Sequence, residues 1–335
     1  MAASVTHGVA VGEVTASSAV IWSRSSEPAE MIVELGADAT LSSPRILRAN
    51  ATADEDFTAR VAADGLEPST TYHYRVRFDA SEPVAGSFQT APAPTDAEPV
   101  RFVVMGDLGG HGYCREEGVG YAVFAEMEKL EPHFLIANGD MIYADSECLV
   151  ERAEGGRNVP GDFPRIDDPR VDWTDAAAVR EVYLAHWRYN RADPHFQSLL
   201  STTSMYSQWD DHEVINDFGA EWPTLTAAIE REGYPTLVRE GRRALFEFHP
   251  MRRHPEEPDR IYTLPDRDDP GFDEAAAWCR VADPQALAAF FRHALEGSTE
   301  VAAIGARGRE LVGANRGATD RTLALLQPWL AEAMA

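Results

Sequence analysis

Residues 101–145 read RFVVMGDLGGHGYCREEGVGYAVFAEMEKLEPHFLIANGDMIYAD, and two apolar runs in this stretch each end at a Gly-Asp pair. The runs Arg101–Met105 and His133–Ala137 are short, rich in Phe, Val, Ile and Leu, and bounded by Gly, Asp or Pro, which is typical of buried strands in a parallel sheet. Between them, apolar residues recur with helical spacing, namely Val123, Met127 and Leu130. The stretch therefore predicts a strand, a helix and a second strand.

The two Gly-Asp turns are expected to lie side by side. A right-handed connection between two parallel strands brings Asp107 and Asp140 to the carboxyl ends of neighbouring strands. Two carboxylates held close together repel each other unless a proton or a cation lies between them. Carboxylate oxygens on loops are ligands that hard cations prefer. The pair therefore indicates either a shared proton or a metal site.

A third strand ends in acidic residues and a histidine. The run Met205–Trp209 leads directly into DDHE at 210–213, which adds another carboxylate and an imidazole to the same edge. A single histidine is more often a surface or core residue than a catalytic one, but its position after a strand end and its acidic neighbours favour a functional role for His212. The irregular tract Cys148–Asp175 is expected to wall the crevice, and a helix should follow over about 176–189.

The N-terminal part of the chain has the pattern of an all-β module. Within residues 5–90, short apolar runs alternate with turns, and Thr71–Phe78 alternates with a period of two. Strands of this length and spacing predict a small sandwich, with Gly86–Thr90 as an edge strand. The proline-rich segment 91–98 is then a linker, and residues 99–335 form a second domain.

The charge and hydropathy of the chain limit its partners. Among 335 residues there are 55 acidic and 30 basic side chains, giving a net charge of −25. This charge argues against a nucleic-acid backbone or an anionic membrane as the main partner. No apolar run approaches the roughly 20 residues of a membrane span. No signal peptide is visible either, so the sequence predicts a cytoplasmic protein or a secreted mature form without its leader.

The cysteines show no disulfide framework and no Cys-x-x-Cys zinc spacing. Cys114 and Cys148 each follow one of the Gly-Asp turns, whereas Cys279 lies far along the chain. For Cys114 and Cys148 the sequence leaves two alternatives open, a local disulfide between them or a role as soft metal ligands. The interpretation that the sequence favours is a buried or inert thiol at each position.

Three motifs connect these features to a known family: GD at 106–107, GDMIY at 139–143 and WDDHEVIN at 209–216. Together they resemble the alkaline phosphatase D (PhoD-like) branch of the calcineurin-like metallophosphoesterases. The segments HGVAVG at 7–12 and VIWSR at 20–24 resemble the N-terminal domain of that family, and the alternation over 66–76 resembles a fibronectin type III domain. The resemblance covers residues 5 to about 262.

The resemblance implies a fold, an activity and a set of roles. The fold is a four-layer αββα core, and the activity is hydrolysis of phosphate monoesters or diesters by metal-activated water. Asp107 would bind one metal, Asp140 would bridge the metals, Tyr143 would ligate iron through its phenolate, and Asp211 would be a further ligand. His212 would contact the leaving-group or phosphoryl oxygen. The implied ions are two or more divalent or trivalent metals, with iron and calcium suspected, and the implied partner is a small phosphate ester or a lipid head group.

Beyond about residue 262 the resemblance fades. Family members continue into strands that carry a Gly-Asp-x-His type motif, whereas residues 263–335 are rich in Ala, Arg, Asp and Gly, and the chain ends at Ala335. The sequence thus keeps an alternative, a catalytically defective, truncated member that retains weak cation binding or a scaffold or partner-binding role. A purple-acid-phosphatase-like protein is less favoured, because WDDHE at 209–213 replaces the Gly-Asn-His-Glu type motif of that group. The oligomeric state is not decided by the sequence.

Overall fold

The structure, a computed structural model, describes residues 3–93, 96, 99–110, 112–152, 155–218, 230–253 and 303. All elements described below belong to the unit Met1–Thr263. The tract 263–335, for which the sequence predicts a departure from the family pattern, lies outside the described residues except for Ala303.

The described residues form ten β-strands and four α-helices. In chain order the strands are β1 (Val5–Gly12), β2 (Ser18–Ser25), β3 (Ala29–Gly36), β4 (Arg45–Ala51), β5 (Thr58–Asp64), β6 (Thr71–Phe78), β7 (Val84–Gln89), β8 (Phe102–Met105), β9 (Phe134–Asn138) and β10 (Ser204–Gln208). The helices are α1 (Ala122–Glu128), α2 (Ala176–Arg191), α3 (Pro194–Thr202) and α4 (Tyr234–Phe248). Short 3-10 turns cover Ala53–Glu55 and Asp211–Glu213.

The strands form two sheets, one with the order β5-β2-β1-β10-β9-β8 and one with the order β4-β3-β6-β7. Strands β8, β9 and β10 are parallel neighbours, and Phe134 of β9 pairs with Phe102 on one side and Ser204 on the other. This confirms the predicted strand, helix and strand over 101–138. It also places the turns after all three strands at one edge of the sheet, which is where the sequence predicts the functional residues.

Strands β1 to β7 pack as two layers around one apolar core. The alternation of β6 buries Tyr74, Val76 and Phe78, as a period of two requires. Strand β7 lies at the edge of its sheet, which confirms the predicted edge strand. The likeness to a fibronectin type III domain, the domain boundaries and the four-layer αββα arrangement stay predictions.

The N-terminal strands share a sheet with the parallel strands, which the sequence did not suggest. Strand β1 pairs with β10 at Gly12 and Met205. Gly12 permits this approach because a Cβ there would lie 2.7 Å from the carbonyl oxygen of Met205. Two hydrogen bonds also join the N-terminal strands to later parts of the chain. The indole N–H of Trp22 donates to the backbone carbonyl of Glu247 at 2.7 Å, and the hydroxyl of Tyr74 donates to the backbone carbonyl of Ser201 at 3.0 Å.

Helix α2 follows the predicted pattern closely. It begins at the N-cap Asp175, whose side chain accepts the N–H groups of Ala177 and Ala178. One face of the helix is buried, and it includes Val179, Val182, Tyr183, His186 and Trp187. Across the described part of the chain, no helix has both the length and the apolar character that a membrane span requires.

Helix α1 forms where the spacing predicts it, but the residues that carry this spacing are not the ones that the helix buries most deeply. Val123 is 44% exposed and Leu130 is 59% exposed, whereas Phe124 is fully buried. The ring of Phe124 stacks on Phe196 of α3 with the ring centroids 4.2 Å apart. The large aromatic side chain therefore sets the rotation of this short helix, and Met127 packs only partly against the core.

The structure corrects the interpretation of Cys114 and Cys148 as inert thiols, because they form a disulfide across a sequence separation of 34. The bond lies in a small buried cluster with Tyr189, against which Val159 and Phe163 pack. The long loops that follow the two Gly-Asp turns fold onto each other, and this brings the cysteines together. Cys279 lies outside the described residues.

Candidate metal centre

The turns after β8 and β9 have the same unusual backbone. Asp107 and Asp140 both adopt positive φ angles, 55° and 51°, and non-glycine residues held in this region tend to occur at functional sites. Backbone hydrogen bonds join the two turns, from the N–H of Asp107 to the carbonyl of Gly139 at 3.3 Å and from the N–H of Leu108 to that of Asp140 at 2.8 Å. The two predicted carboxylates therefore stand on one connected pair of turns.

Asp140, Asp211 and His212 form a group of possible metal ligands. Their ligand atoms all lie within 4.8 Å of one another. Asp140 and His212 are buried, and the backbone N–H of His212 donates to Oδ1 of Asp140 at 3.2 Å. The backbone N–H of Asp217 donates to Oδ2 of Asp211. The structure thus brings three of the five predicted site residues into one ligand group.

Asp107 and Tyr143 reach the same edge as a separate pair. The hydroxyl of Tyr143 donates to Oδ1 of Asp107 at 3.1 Å. The ring of Tyr143 lies against the imidazole of His212, with the centroids 4.1 Å apart. Asp107 is exposed and does not belong to the three-residue group. The ligand roles of Asp107 and Tyr143 stay predictions.

Asp145 lies beside the cluster, and the sequence interpretation did not include it. Its Oδ1 lies 2.7 Å from Nδ1 of His212, and its Oδ2 accepts the backbone N–H of Asn216 at 2.9 Å. Burial alone would lower the pKa of His212, but the hydrogen bond and charge of Asp145 and the charges of Asp140 and Asp211 together outweigh it, so the pKa is raised. Asp145 ends the stretch 101–145, but nothing local to it shows that its partner lies 67 residues further along the chain.

Glu213 is the second residue that was missed. Its side chain is almost fully buried, and it accepts three backbone N–H groups, those of Met141 at 2.7 Å, Asp210 at 2.9 Å and Asp140 at 3.0 Å. Burial raises the pKa of Glu213 to about 8, although the three N–H donors act in the opposite direction. In the motif WDDHE at 209–213 this glutamate follows the N-cap Asp210 by three residues, which is the spacing of a capping box, and the structure forms that box. The spacing gives no signal for the contacts with Asp140 and Met141.

The electrostatics of the cluster suit a cation. Burial raises the pKa of Asp140 to about 6, and the neighbouring carboxylates of Asp211 and Asp210 act in the same direction. Burial also raises the pKa of Tyr143, with the hydrogen bond to Asp107 as the next cause. Each shift disfavours the charged form of an oxygen ligand, and a cation at this position would offset that penalty. The set of carboxylate, phenol and imidazole groups therefore fits a metal ion.

A cavity of about 720 Å³ adjoins the cluster. Its lining residues are Gly112, Tyr143, Asp145, Ser146, Glu147, Leu149, Glu151, Arg152, Arg165, His212 and Asn216. Several of them belong to the tract 148–175, which confirms that part of this tract walls the crevice. The cavity gives a small organic molecule access to His212 and Tyr143.

Comparison with known families agrees with the motifs and the geometry. The family model described as PhoD-like phosphatase matches residues 103–264, and the model described as PhoD-like phosphatase, N-terminal domain, matches residues 1–92. The chain belongs to the PhoD-like phosphatase family. This PhoD-like chain has relatives among the calcineurin-like phosphatases, as the motifs at 106–107, 139–143 and 209–216 indicate. The comparison adds relatives among the purple acid phosphatases.

Individual relatives of this PhoD-like chain match over part of their length. Purple acid phosphatase 23 of Arabidopsis thaliana is 34% identical over 131 residues, which are 38% of this chain and 24% of that protein. Alkaline phosphatase D of Bacillus subtilis (strain 168) is 23% identical over 199 residues, which are 58% of this chain and 30% of that protein. This chain thus spans less than a third of either relative.

A solved structure described as PhoD shares the fold. It superposes with a TM-score of 0.60 at 22% identity, over 79% of this chain and 48% of that one. At this level of identity the match shows the fold alone. The roles of individual side chains in this PhoD-like chain rest on their own geometry.

Proposed function

We propose that this chain hydrolyses phosphate esters at a metal centre held by Asp107, Asp140, Tyr143 and Asp211. The observation that carries the proposal is the ligand group at the strand ends, in which the ligand atoms of Asp140, Asp211 and His212 lie within 4.8 Å of one another. Oxygen ligands of this kind suit hard divalent or trivalent ions, with iron and calcium as the first candidates by family resemblance. Two or more ions are expected.

The ions, when bound, supply the positive charge that phosphoryl transfer requires at the phosphoryl oxygens. The chain's own carboxylates would otherwise repel a phosphate, because Asp140 and Asp211 contribute negative charge at the edge where the substrate must approach. The role of the protein is to hold these oxygen atoms close together and to shape the cavity beside them. Two observations support this role: Asp140 and Asp211 lie close together at the carboxyl ends of β9 and β10, and the cavity adjoins His212.

His212 is proposed to contact the leaving-group or phosphoryl oxygen. Its Nδ1 is engaged by Asp145 at 2.7 Å, so Nε2 is the nitrogen that remains for the substrate. The hydrogen bond fixes the orientation of the imidazole, which is what a group that transfers a proton to a leaving oxygen requires. Asp145 is thus a positioning residue for His212 in this proposal.

The proposed substrate is a small phosphate ester, either a soluble molecule or a lipid head group. The cavity beside His212 is large enough for a drug-sized organic group, and its walls combine the apolar Leu149 with charged side chains such as Arg165. A nucleic-acid backbone is not expected as a substrate because the chain carries a net charge of −25.

An aryl phosphate assay tests this function. Protein stripped of metal with a chelator should not release nitrophenol from p-nitrophenyl phosphate or its diester, and added Mn²⁺, Ca²⁺ or Fe²⁺ should restore release. Asp140→Ala should lower the rate by about 100-fold or more, since it removes the proposed bridging ligand. The control is Glu67→Ala, which changes an exposed carboxylate on the turn before β6.

The ratio of the hydrolysis rates of p-nitrophenyl phosphate and its diester shows whether the enzyme prefers phosphate monoesters or diesters. A folded protein that shows no turnover with either compound and any of the metals would contradict the proposal. That outcome would favour the alternative of a catalytically defective member with a scaffold or partner-binding role.

A further inference from the structure

We propose that Glu213 is a positioning residue whose carboxylate holds two ligand-bearing turns in one fixed arrangement. This inference rests on the proposed function, since the turns in question carry the proposed ligands Asp140 and Asp211. Glu213 touches neither substrate nor metal in this account. It acts on them through the backbone.

The contacts of Glu213 connect two strand ends that are far apart in sequence. Oε1 accepts the N–H of Met141, and Oε2 accepts the N–H groups of Asp140 and Asp210 at 3.0 and 2.9 Å. Two of these donors lie on the turn after β9 and the third lies on the turn after β10. A single buried carboxylate therefore fixes the distance between the two turns.

Two of the proposed ligands, Asp140 and Asp211, belong to this arrangement or lie directly next to it. Asp140 supplies one of the three donors itself, and Asp211 directly follows the donor Asp210. His212 directly precedes Glu213 in the 3-10 turn. A shift of the carboxylate would consequently move the backbone of all three residues whose ligand atoms converge within 4.8 Å.

The burial of Glu213 needs an explanation of this kind. A glutamate that is 1% exposed is unfavourable unless hydrogen bonds compensate for the lost hydration. Among the described residues, the hydrogen bonds found for its oxygens all come from backbone N–H groups, and no Lys or Arg ion pair with Glu213 is found. A residue kept only for packing would be apolar at this position, whereas a carboxylate can hold three N–H groups at once.

The variant Glu213→Gln tests the role with little change in volume. A glutamine side chain offers one acceptor oxygen and one NH2 donor, so at least one of the three backbone N–H groups loses its partner. The turns can then separate slightly, and the ligand atoms no longer converge. We expect the affinity of the metal-free protein for Mn²⁺, measured by isothermal titration calorimetry, to fall by about 10–100-fold.

The matched control is Glu247→Gln. Glu247 is also a fully buried glutamate, but its Oε1 accepts hydrogen bonds from Arg180 at 2.7 Å and Arg243 at 3.0 Å, away from the strand ends. Both variants should unfold at a lower urea concentration than the wild type. Only Glu213→Gln should bind Mn²⁺ more weakly.

The variant Glu213→Asp keeps a carboxyl group with two oxygens but retracts it by one methylene, and it carries the test if Glu213→Gln does not fold. It too should weaken Mn²⁺ binding. If the Glu213 variants that fold bind Mn²⁺ as tightly as the wild type does, the positioning role is wrong while the proposed function stands. If the wild type itself binds no Mn²⁺ and hydrolyses no aryl phosphate, both are wrong.

Discussion

Gly139 is the residue that allows the turn after β9 to approach the turn after β10. Its φ angle is 81°, a left-handed conformation that glycine adopts without strain. A Cβ at this position would lie 2.3 Å from the Cβ of Asp210, which is closer than two carbon atoms can approach without displacing the backbone. The Gly in the Gly-Asp pair is therefore as important for the site as the Asp that follows it.

We predict that Gly139→Ala destabilises the protein more than Gly65→Ala does. Gly65 also has a positive φ, 71°, but no atom of the described residues lies within 4 Å of the point that a Cβ would occupy, so alanine there carries only the backbone strain of about 1 kcal/mol. Gly139→Ala should add an overlap penalty of about 1–3 kcal/mol. Urea unfolding of both variants measures the difference, and equal losses would contradict the tight contact.

At the level of elements, the loops after the two Gly-Asp turns form one wall of the cavity. The buried amide of Asn158 ties them together, since its Nδ2 donates to the carbonyls of Gly112 and Leu149 at 2.8 Å and its Oδ1 accepts from Arg152 at 2.6 Å. The disulfide between Cys114 and Cys148 joins the same two loops covalently. The hydrogen bonds of Asn158 and the disulfide thus both connect the two loops that form this wall.

We predict that Cys114→Ser/Cys148→Ser loosens this wall. Loss of a cross-link over 34 residues should lower stability by about 3–4 kcal/mol if the loops unfold with the rest of the domain. Hydrogen–deuterium exchange should show faster exchange in 112–119 and 147–159. Cys279→Ser, which keeps the disulfide, is the control, and unchanged exchange in the double variant would contradict a structural role for the bond.

The sequence predicts those elements whose structure depends on a local pattern of apolar and polar residues. The apolar runs before Asp107 and Asp140 and the motif at 209–216 indicated the three strand ends correctly, because burial in a parallel sheet imposes a local composition. It gave no signal for the contacts of Glu213 with Asp140 and Met141 or for that of Asp145 with His212, since these contacts join residues about 70 positions apart and no local period encodes them. For the same reason the sequence left the disulfide as one open alternative and did not suggest the pairing of β1 with β10.

On the scale of the whole molecule, buried histidines link stability to pH. His186 and His249 are almost fully buried, and burial lowers their pKa values from 6.5 to about 4 and about 3. The folded state therefore keeps both imidazoles neutral, whereas the unfolded chain protonates them below pH 6.5. The unfolded state binds more protons in this range, so the contribution of each histidine to stability is lost as the pH falls from about 6.5 towards 4.

We predict that His186→Phe reduces this acid sensitivity. The ring of His186 packs against Phe163 with the centroids 4.1 Å apart, so phenylalanine should be accommodated. Between pH 7 and pH 5 the wild type should lose about 2 kcal/mol more unfolding free energy than the variant. The difference between the two proteins is the quantity to measure, because Glu213, whose pKa is raised, contributes with the opposite sign. Equal losses would contradict the neutral state of His186.

The central claim is that three strand ends of this PhoD-like chain build a metal centre, and metal content tests it most directly. Wild-type protein and Asp140→Ala should be dialysed to equilibrium against Mn²⁺, freed of unbound ions and measured by elemental analysis. The wild type should retain about two or more ions per chain, and Asp140→Ala should retain less than about a tenth of that amount. A wild type that retains no ion, or an Asp140→Ala variant that retains as many as the wild type, would contradict the claim.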